Sequence, residues 1–387
     1  MPVLNRIAGF SDHMTAWHRH LHAHPELGFG CHRTAEFGGA RLREFGIDKI
    51  ETGITESGVV AVIEGRGPGP TIGLRANMDA LPIAEATGAA HASKTPGVMH
   101  ACGHDGHTAM LLGAARYLAE TRNFCGRLAL IFQPAEEGPG GAQVMVNDGV
   151  LDRYDIAQVY ALHTLPGAPE GHFETCPGPI MAVVDPFHID IEGQGGHAAY
   201  PQDTCDAVIA ACAIGQAIQT ILSRNARARD ELVVSLTQIH TGSADNIVPE
   251  TAYMCGTIRS FDAGPQRMVW KRLQEIAEGQ AASLGVRARL RIEEGYPPTV
   301  NDAARTEFAA EVAREVAGAN AVVTDRTPEM GVEDFAFMLA KRPGAYLFLG
   351  QGEGPGLHHQ GFDFNDDVVP VGASFLARLV ERAQPAG

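Results

Sequence analysis

The 387-residue chain has no surplus of basic residues, no long uninterrupted apolar run and no paired cysteine framework, and each absence closes off a class of function. With 46 acidic against 30 basic residues the formal net charge is −16. That is the wrong sign for gripping a phosphate backbone or an anionic membrane surface, so neither nucleic acid nor membrane is expected as a partner. The segment from Met1 to Ser11 lacks the apolar core and small-residue cleavage site of a secretory signal, and no other stretch approaches the roughly 18 apolar residues of a membrane span. The seven cysteines, at 31, 102, 125, 176, 205, 212 and 255, are odd in number and irregular in spacing. Reduced thiols in a cytoplasmic enzyme are therefore expected. No internal repeat and no low-complexity tract is visible.

What is present is an ordinary globular composition, 45% hydrophobic and 20% charged, in a chain long enough for two domains. Helical spacing of apolar residues from Met14 to Leu27 and from Arg33 to Phe45 precedes strands near Val59–Glu64 and Thr71–Met78. A helix over 107–121, a buried strand over 127–132, part of a helix over 143–147 and a strand over 158–162 continue an α/β alternation. Near residue 182 the pattern changes. Phe187, Ile189 and Ile191 alternate with polar residues, as in a strand with one wet face. Helices over 207–227 and 266–284 and strands over 232–239, 252–258 and 286–292 then form an α+β unit. After Tyr296-Pro297-Pro298 the α/β pattern resumes, with helices near 304–316 and 333–339 and a strand over 345–349. The expected organisation is an α/β catalytic domain, 1–182 and 295–387, with a mixed sheet flanked by helices. Into it is inserted an α+β domain, 183–294, of two helices over a four-stranded antiparallel sheet.

The strongest local signal is Met99-His100-Ala101-Cys102-Gly103-His104-Asp105-Gly106-His107, where thiol, imidazole and carboxylate crowd into nine residues after a Pro96-Gly97 turn. Extended backbone would place Cys102 and His104 on one side, so the helix should begin at about Asp105. Its N-terminus would then favour a nearby thiolate or carboxylate. A second signal, Phe132-Gln133-Pro134-Ala135-Glu136-Glu137-Gly138-Pro139-Gly140-Gly141, follows an apolar strand where an α/β sheet presents its ligands. Two adjacent carboxylates can divide the labour of metal-assisted hydrolysis, one binding a cation and the other acting as general base. Leu162-His163 ends another strand, and Leu357-His358-His359 follows a glycine-rich loop. Singly, a cysteine or histidine is more often structural than a ligand; the argument rests on their joint placement at strand ends. His13, His18, His20, His22 and His24 form a rival tract, but their spacing scatters them around a helix, so they are assigned to solvent or intramolecular hydrogen bonds.

These segments resemble the aminoacylase and carboxypeptidase-type dinuclear metallopeptidase family, in its branch of hippurate hydrolases, N-acyl-amino-acid amidohydrolases and auxin-conjugate amidohydrolases. The resemblance runs nearly end to end. It covers His24-Pro25-Glu26-Leu27, Arg75 to Pro82, Met99 to His107, Gln133 to Glu137, Leu162-His163 and Gly195-Gly196-His197. It continues through Asn246-Ile247-Val248-Pro249, Gly256-Thr257-Ile258-Arg259, Glu333-Asp334-Phe335, Leu357-His358 and Phe362 to Asp366. It implies a zinc-exopeptidase-like catalytic domain in which Cys102, His104, Glu137, His163 and His358 bind two divalent cations (Zn, Mn, Co or Ni) and Glu136 is the catalytic acid/base. It further implies that the insertion is a lid through which the chain forms a homodimer or higher homo-oligomer. His197 would polarise the scissile carbonyl in the partner's site, with Asn246 and Arg259 holding an N-acyl amino acid. An arginine fork suits the substrate carboxylate. Asp79 would orient a ligand. The chain departs from the family pattern at Asn77, usually Asp, and at Gln360, usually Pro.

Two rival readings remain. Cys102 could be a nucleophile with His104 or His107 as base, in which case activity would survive chelation and die with a thiol alkylator. A silent binding protein on the same fold would hold acyl amino acids without releasing product.

Overall fold

The computed structural model describes residues 3–138 and 140–386. It divides into two compact units, the first formed by Met1–Ile180, Thr299–Thr327 and Glu333–Gly387, the second by Met181–Pro298 and Pro328–Val332.

Among the described residues, the first unit holds an eight-stranded mixed sheet. Its order is Lys49–Ile54, Gly58–Glu64, Arg127–Gln133, Thr71–Asn77, Ile156–Leu165, Gly344–Gly350, Phe173–Glu174, Val322–Val323. The four strands from Arg127–Gln133 to Gly344–Gly350 run parallel, so their carboxyl ends share one edge. These strands are buried on both faces, which is why they read as continuous apolar runs rather than alternating ones. The helix His104–Thr121 packs against Ser11–Ala23 and Val369–Ala383, with Met14, Leu111, Leu112, Phe375 and Leu379 in the shared core.

Several boundaries differ from the sequence reading for definable reasons. The first long helix stops at Ala23 rather than Leu27, because Pro25 disfavours helical backbone at His24 (φ −129°). The helix expected over 333–339 is only Ala336–Leu339, since the Glu333 carboxylate accepts from the Phe335 amide and both acidic side chains turn inward. The helix expected over 207–227 ends at Thr220 and passes into one π-turn, Ile221–Asn225. That stretch, Ala207–Asn225, is long and apolar enough by length and composition to cross a membrane, contrary to the expectation that none approaches this. Its apolar face is instead core, with Ala207, Ala210, Ala211, Ile214 and Ile218 buried.

The second unit is an antiparallel sheet in the order Leu232–Thr241, Thr251–Ser260, Val183–Glu192, Arg287–Ile292. The helices Ala207–Thr220 and Ala263–Ser283 pack on its inner face against Phe187, Ile189, Ile191, Met254 and Ile258. Burial alternates strictly along Thr251–Ser260, as period-two patterning requires of a sheet with one wet face.

Candidate active site

Four chain segments at the carboxyl edge of the parallel strands bring Cys102, His104, Glu136, Glu137, His163 and His358 together. Ligand atoms of Cys102, His104 and His163 lie within 4.8 Å of one another, as do those of Cys102, Glu137 and His358 and those of His104, Glu136 and Glu137. Cys102 Sγ is 3.5 Å from His163 Nε2, His358 Nε2 is 3.4 Å from Glu137 Oε1, and His104 Nε2 is 3.6 Å from Glu136 Oε2.

The local backbone explains how such close neighbours in sequence converge. The segment is not extended through Cys102-Gly103-His104, as the sequence reading supposed. Gly103 adopts φ 81°, and the helix begins at His104 itself. A Cβ at Gly103 would lie 2.7 Å from Thr164 Cγ2 and 2.9 Å from Phe364 Cδ2, so only glycine makes this turn without moving the site. Ala135 (φ 60°) and His358 (φ 61°) also sit in the left-handed region, strain that is carried beside the cluster.

Supporting groups fix the donors. Asp79 accepts hydrogen bonds from the amides of both Glu136 and Glu137 at 3.0 Å, setting the turn that splits the two carboxylates, and its Oδ1 is 3.4 Å from His104 Nδ1. His163 Nδ1 faces the Thr164 carbonyl at 2.8 Å and must carry the proton, which leaves the Nε2 lone pair toward Cys102. His107 accepts from the Thr164 amide at Nε2, so its Nδ1 donates to Asn77 Oδ1; the departure at Asn77 thus bridges His107 and His104, 2.9 Å from its amide nitrogen.

Electrostatics separates the paired glutamates. Burial, with Glu333, Glu137 and Asp334 close by, pushes the Glu136 carboxyl well above the usual range. Burial acts the same way on Glu137, but the His358 and His104 imidazoles outweigh it and carry that carboxyl down. Neighbouring acids driven apart in this way suit an acid/base and a ligand respectively. Burial and the two glutamates raise the Cys102 thiol, the opposite of what an activated nucleophile needs. His107, one proposed base for that nucleophile, is committed to Asn77 and Thr164.

The donor set fits divalent cations. Glu137 Oε1 is buried without a well-formed hydrogen bond among the described residues, a costly arrangement that a cation would relieve. Thiolate, imidazole and carboxylate together are ligands for zinc and its neighbours in the first transition row.

The sequence reading missed the floor of the site. Arg75, buried, pairs with Glu333 at 2.9 Å and Asp334 at 2.8 Å, while Gln133 bonds both Arg75 and Asp334 and Tyr346 donates to Glu333. Ligand atoms of Glu136, Glu333 and Asp334 form a further acidic group within 4.8 Å. The charged run Glu333-Asp334 inside an apolar context was the available signal. The reading of the first-helix histidines as scattered also needs correction. His18 and His22 share one fully buried face, while His20 stacks on Phe37 on another.

The remaining predicted residues belong to the second unit. His197 is exposed on a two-residue strand paired with Ile247–Val248, and its Nδ1 accepts from the Ala199 amide. Asn246, also exposed, accepts from the Ala198 amide through its carbonyl, which places it beside His197. Arg259 lies apart on the sheet and donates to the Met330 carbonyl.

Comparison with known proteins now decides the family. The model of peptidase family M20/M25/M40 matches residues 73–382. The chain belongs to this family. It is 38% identical to hippurate hydrolase of Campylobacter jejuni, over 93% of this chain and 93% of that protein. It is 39% identical to N-acetyl-L-cysteine deacetylase of Bacillus subtilis, over 94% and 86%. Among solved structures, the YXEP protein of Bacillus subtilis, a dinuclear metal-binding peptidase of the M20 family, superposes with a TM-score of 0.86 at 32% identity, covering 97% of this chain and 99% of that one. The α/β fold with its mixed sheet is therefore the M20 fold, and the chain is a hydrolase of that family.

Proposed function

We propose that this M20 chain hydrolyses the amide bond of N-acyl amino acids, releasing a carboxylic acid and a free amino acid, with two divalent cations held by Cys102, His104, Glu137, His163 and His358. The observation that supports this reading is the convergence of five donors of mixed chemistry beside Glu136 at the strand ends. That hippurate hydrolase and an N-acetyl-L-cysteine deacetylase are relatives supports the substrate class.

When bound, the cations would supply Lewis acidity, polarising the scissile carbonyl and acidifying water. Glu136 takes the proton from the attacking water at a carboxylate oxygen and delivers it to the leaving nitrogen. Asp79, by holding the two amides, keeps Glu136 and Glu137 in their separate roles. The second unit acts as a lid that pairs two copies. His197 of one copy donates to the carbonyl oxygen of the substrate as charge develops there, Asn246 binds beside it, and Arg259 exchanges its Met330 contact for the substrate carboxylate.

The test is to strip divalent ions, reload with zinc, manganese, cobalt or nickel in turn, and screen benzoyl, acetyl and indole-acetyl amino acids for release of free amino acid. Ion-dependent release is expected, and the most active ion names the metal. Full activity after chelation, abolished instead by a thiol alkylator, would overturn the reading in favour of Cys102 as nucleophile.

A further inference from the structure

A second concentration of histidines and carboxylates lies in the first unit outside the cluster just described. His18 and His22 are four apart on the helix Ser11–Ala23, so their rings project from one face, and both are fully buried. Asp105, second residue of the helix His104–Thr121, meets them with a single oxygen, Oδ2, which is 2.7 Å from His22 Nδ1 and 3.2 Å from His18 Nε2. One ligand atom from each of the three lies within 4.8 Å of the other two.

Two further observations point to a cation rather than to packing. The outer nitrogen of each ring faces another carboxylate, Asp366 Oδ1 at 2.8 Å from His18 Nδ1 and Glu85 Oε1 at 3.4 Å from His22 Nε2. This is the carboxylate–imidazole arrangement that fixes the tautomer of a metal-bound histidine and turns its lone pair inward. Next, His18 Nε2 is close to Asp105 but badly angled, and makes no hydrogen bond among the described residues. A shared proton demands approach along the N–H direction, whereas a cation requires only that lone pairs converge.

We propose that His18, His22 and Asp105 form a third divalent-cation site, suited to zinc or a similar borderline ion, that ties the helix Ser11–Ala23 to the first turn of the helix His104–Thr121. His100, buried with neither ring nitrogen partnered among the described residues, is a reserve of a further donor, its ring 6.3 Å from that of His22. His91, partly exposed, lies over the pair at 5.3 Å from His22 and 6.0 Å from His18, and marks the side from which an ion would enter.

The site is tested by loading metal-free protein with zinc, removing the excess and counting zinc per chain. Three ions are expected for the wild type and two for His22→Gln. A variant lacking the strand-end ligands, Cys102→Ala with His163→Ala, should keep the ion that His22→Gln loses, so failure of this site and failure of the proposed catalytic pair give different counts. Equal counts in wild type and His22→Gln would overturn the proposal. Should that variant not fold, anomalous diffraction at the zinc edge from wild-type crystals decides the matter. A peak within bonding distance of His18 Nε2, His22 Nδ1 and Asp105 Oδ2 is expected, and protons alone, with no peak there, would refute it.

Discussion

The two units of this chain bury different things. The first encloses Arg75, Asp79, His100, His104, Asp105, His107, Glu136, His163, Glu333 and Asp334 within its interior. In the second, among the described residues, only Asp185 and Ser260 are buried polar groups, and Asp185 is satisfied by Gln266, Trp270 and the Gly295 amide. Buried charge costs several kcal/mol per ion unless paired, so a fold does not accumulate it without compensation. The second unit is what period-two and helical patterning yield when packing alone decides. The first departs from that pattern at the strand ends, where its polar groups converge.

The comparison can be broken most forcefully at Arg75. Replacing it with Met leaves Glu333 and Asp334 buried beside Glu136 without their cation, a change expected to cost about 3–5 kcal/mol of stability. Denaturant unfolding of the metal-free variant measures this, and a loss no larger than that of a surface ion pair would show that the acidic floor is better solvated than its burial implies. Glu136→Gln sharpens the comparison from the other side, because it removes charge from the interior while keeping shape. Turnover should fall by at least roughly 10²-fold with bound cations retained, as expected for loss of a general base. Unchanged turnover removes Glu136 from the mechanism.

How much of this was legible depends on how far apart the interacting residues are. The motif around Cys102 declared itself by its density of thiol, imidazole and carboxylate just before the helix His104–Thr121, and those at Glu136 and His163 by standing at apolar strands whose parallel order brings their ends to one edge. Asp79 was within reach for the same reason, lying just beyond the strand Thr71–Asn77. The Arg75–Glu333 pair spans 258 positions, and nothing local to either residue names the other. The buried face of His18 and His22 was hidden by the intervening His20 and His24, which made the tract look evenly spread although the i, i+4 pairs sort onto separate faces. The turn at Gly103 was misread as extended because glycine's left-handed conformation carries no side-chain signal.

The smallest expected effect tests whether helix ends follow the same division. In the second unit Asp206 caps the helix Ala207–Thr220, its Oδ1 accepting from Val208 N at 2.8 Å and Ile209 N at 3.1 Å. The corresponding position of the helix His104–Thr121 is Gly103, with no side-chain cap at all, since a Cβ there would strike Thr164 and Phe364. The first unit therefore gives up a cap so that Cys102 and His104 can flank a tight turn, whereas the second keeps one because nothing competes for the space. Asp206→Ala should then cost about 1 kcal/mol, the usual worth of an N-cap. Activity per folded molecule, with ions present, should be unchanged. If the variant were as stable as wild type, the two amides would have found water instead, and the contrast between a capped and an uncapped helix start would reflect solvent access rather than the demands of the site.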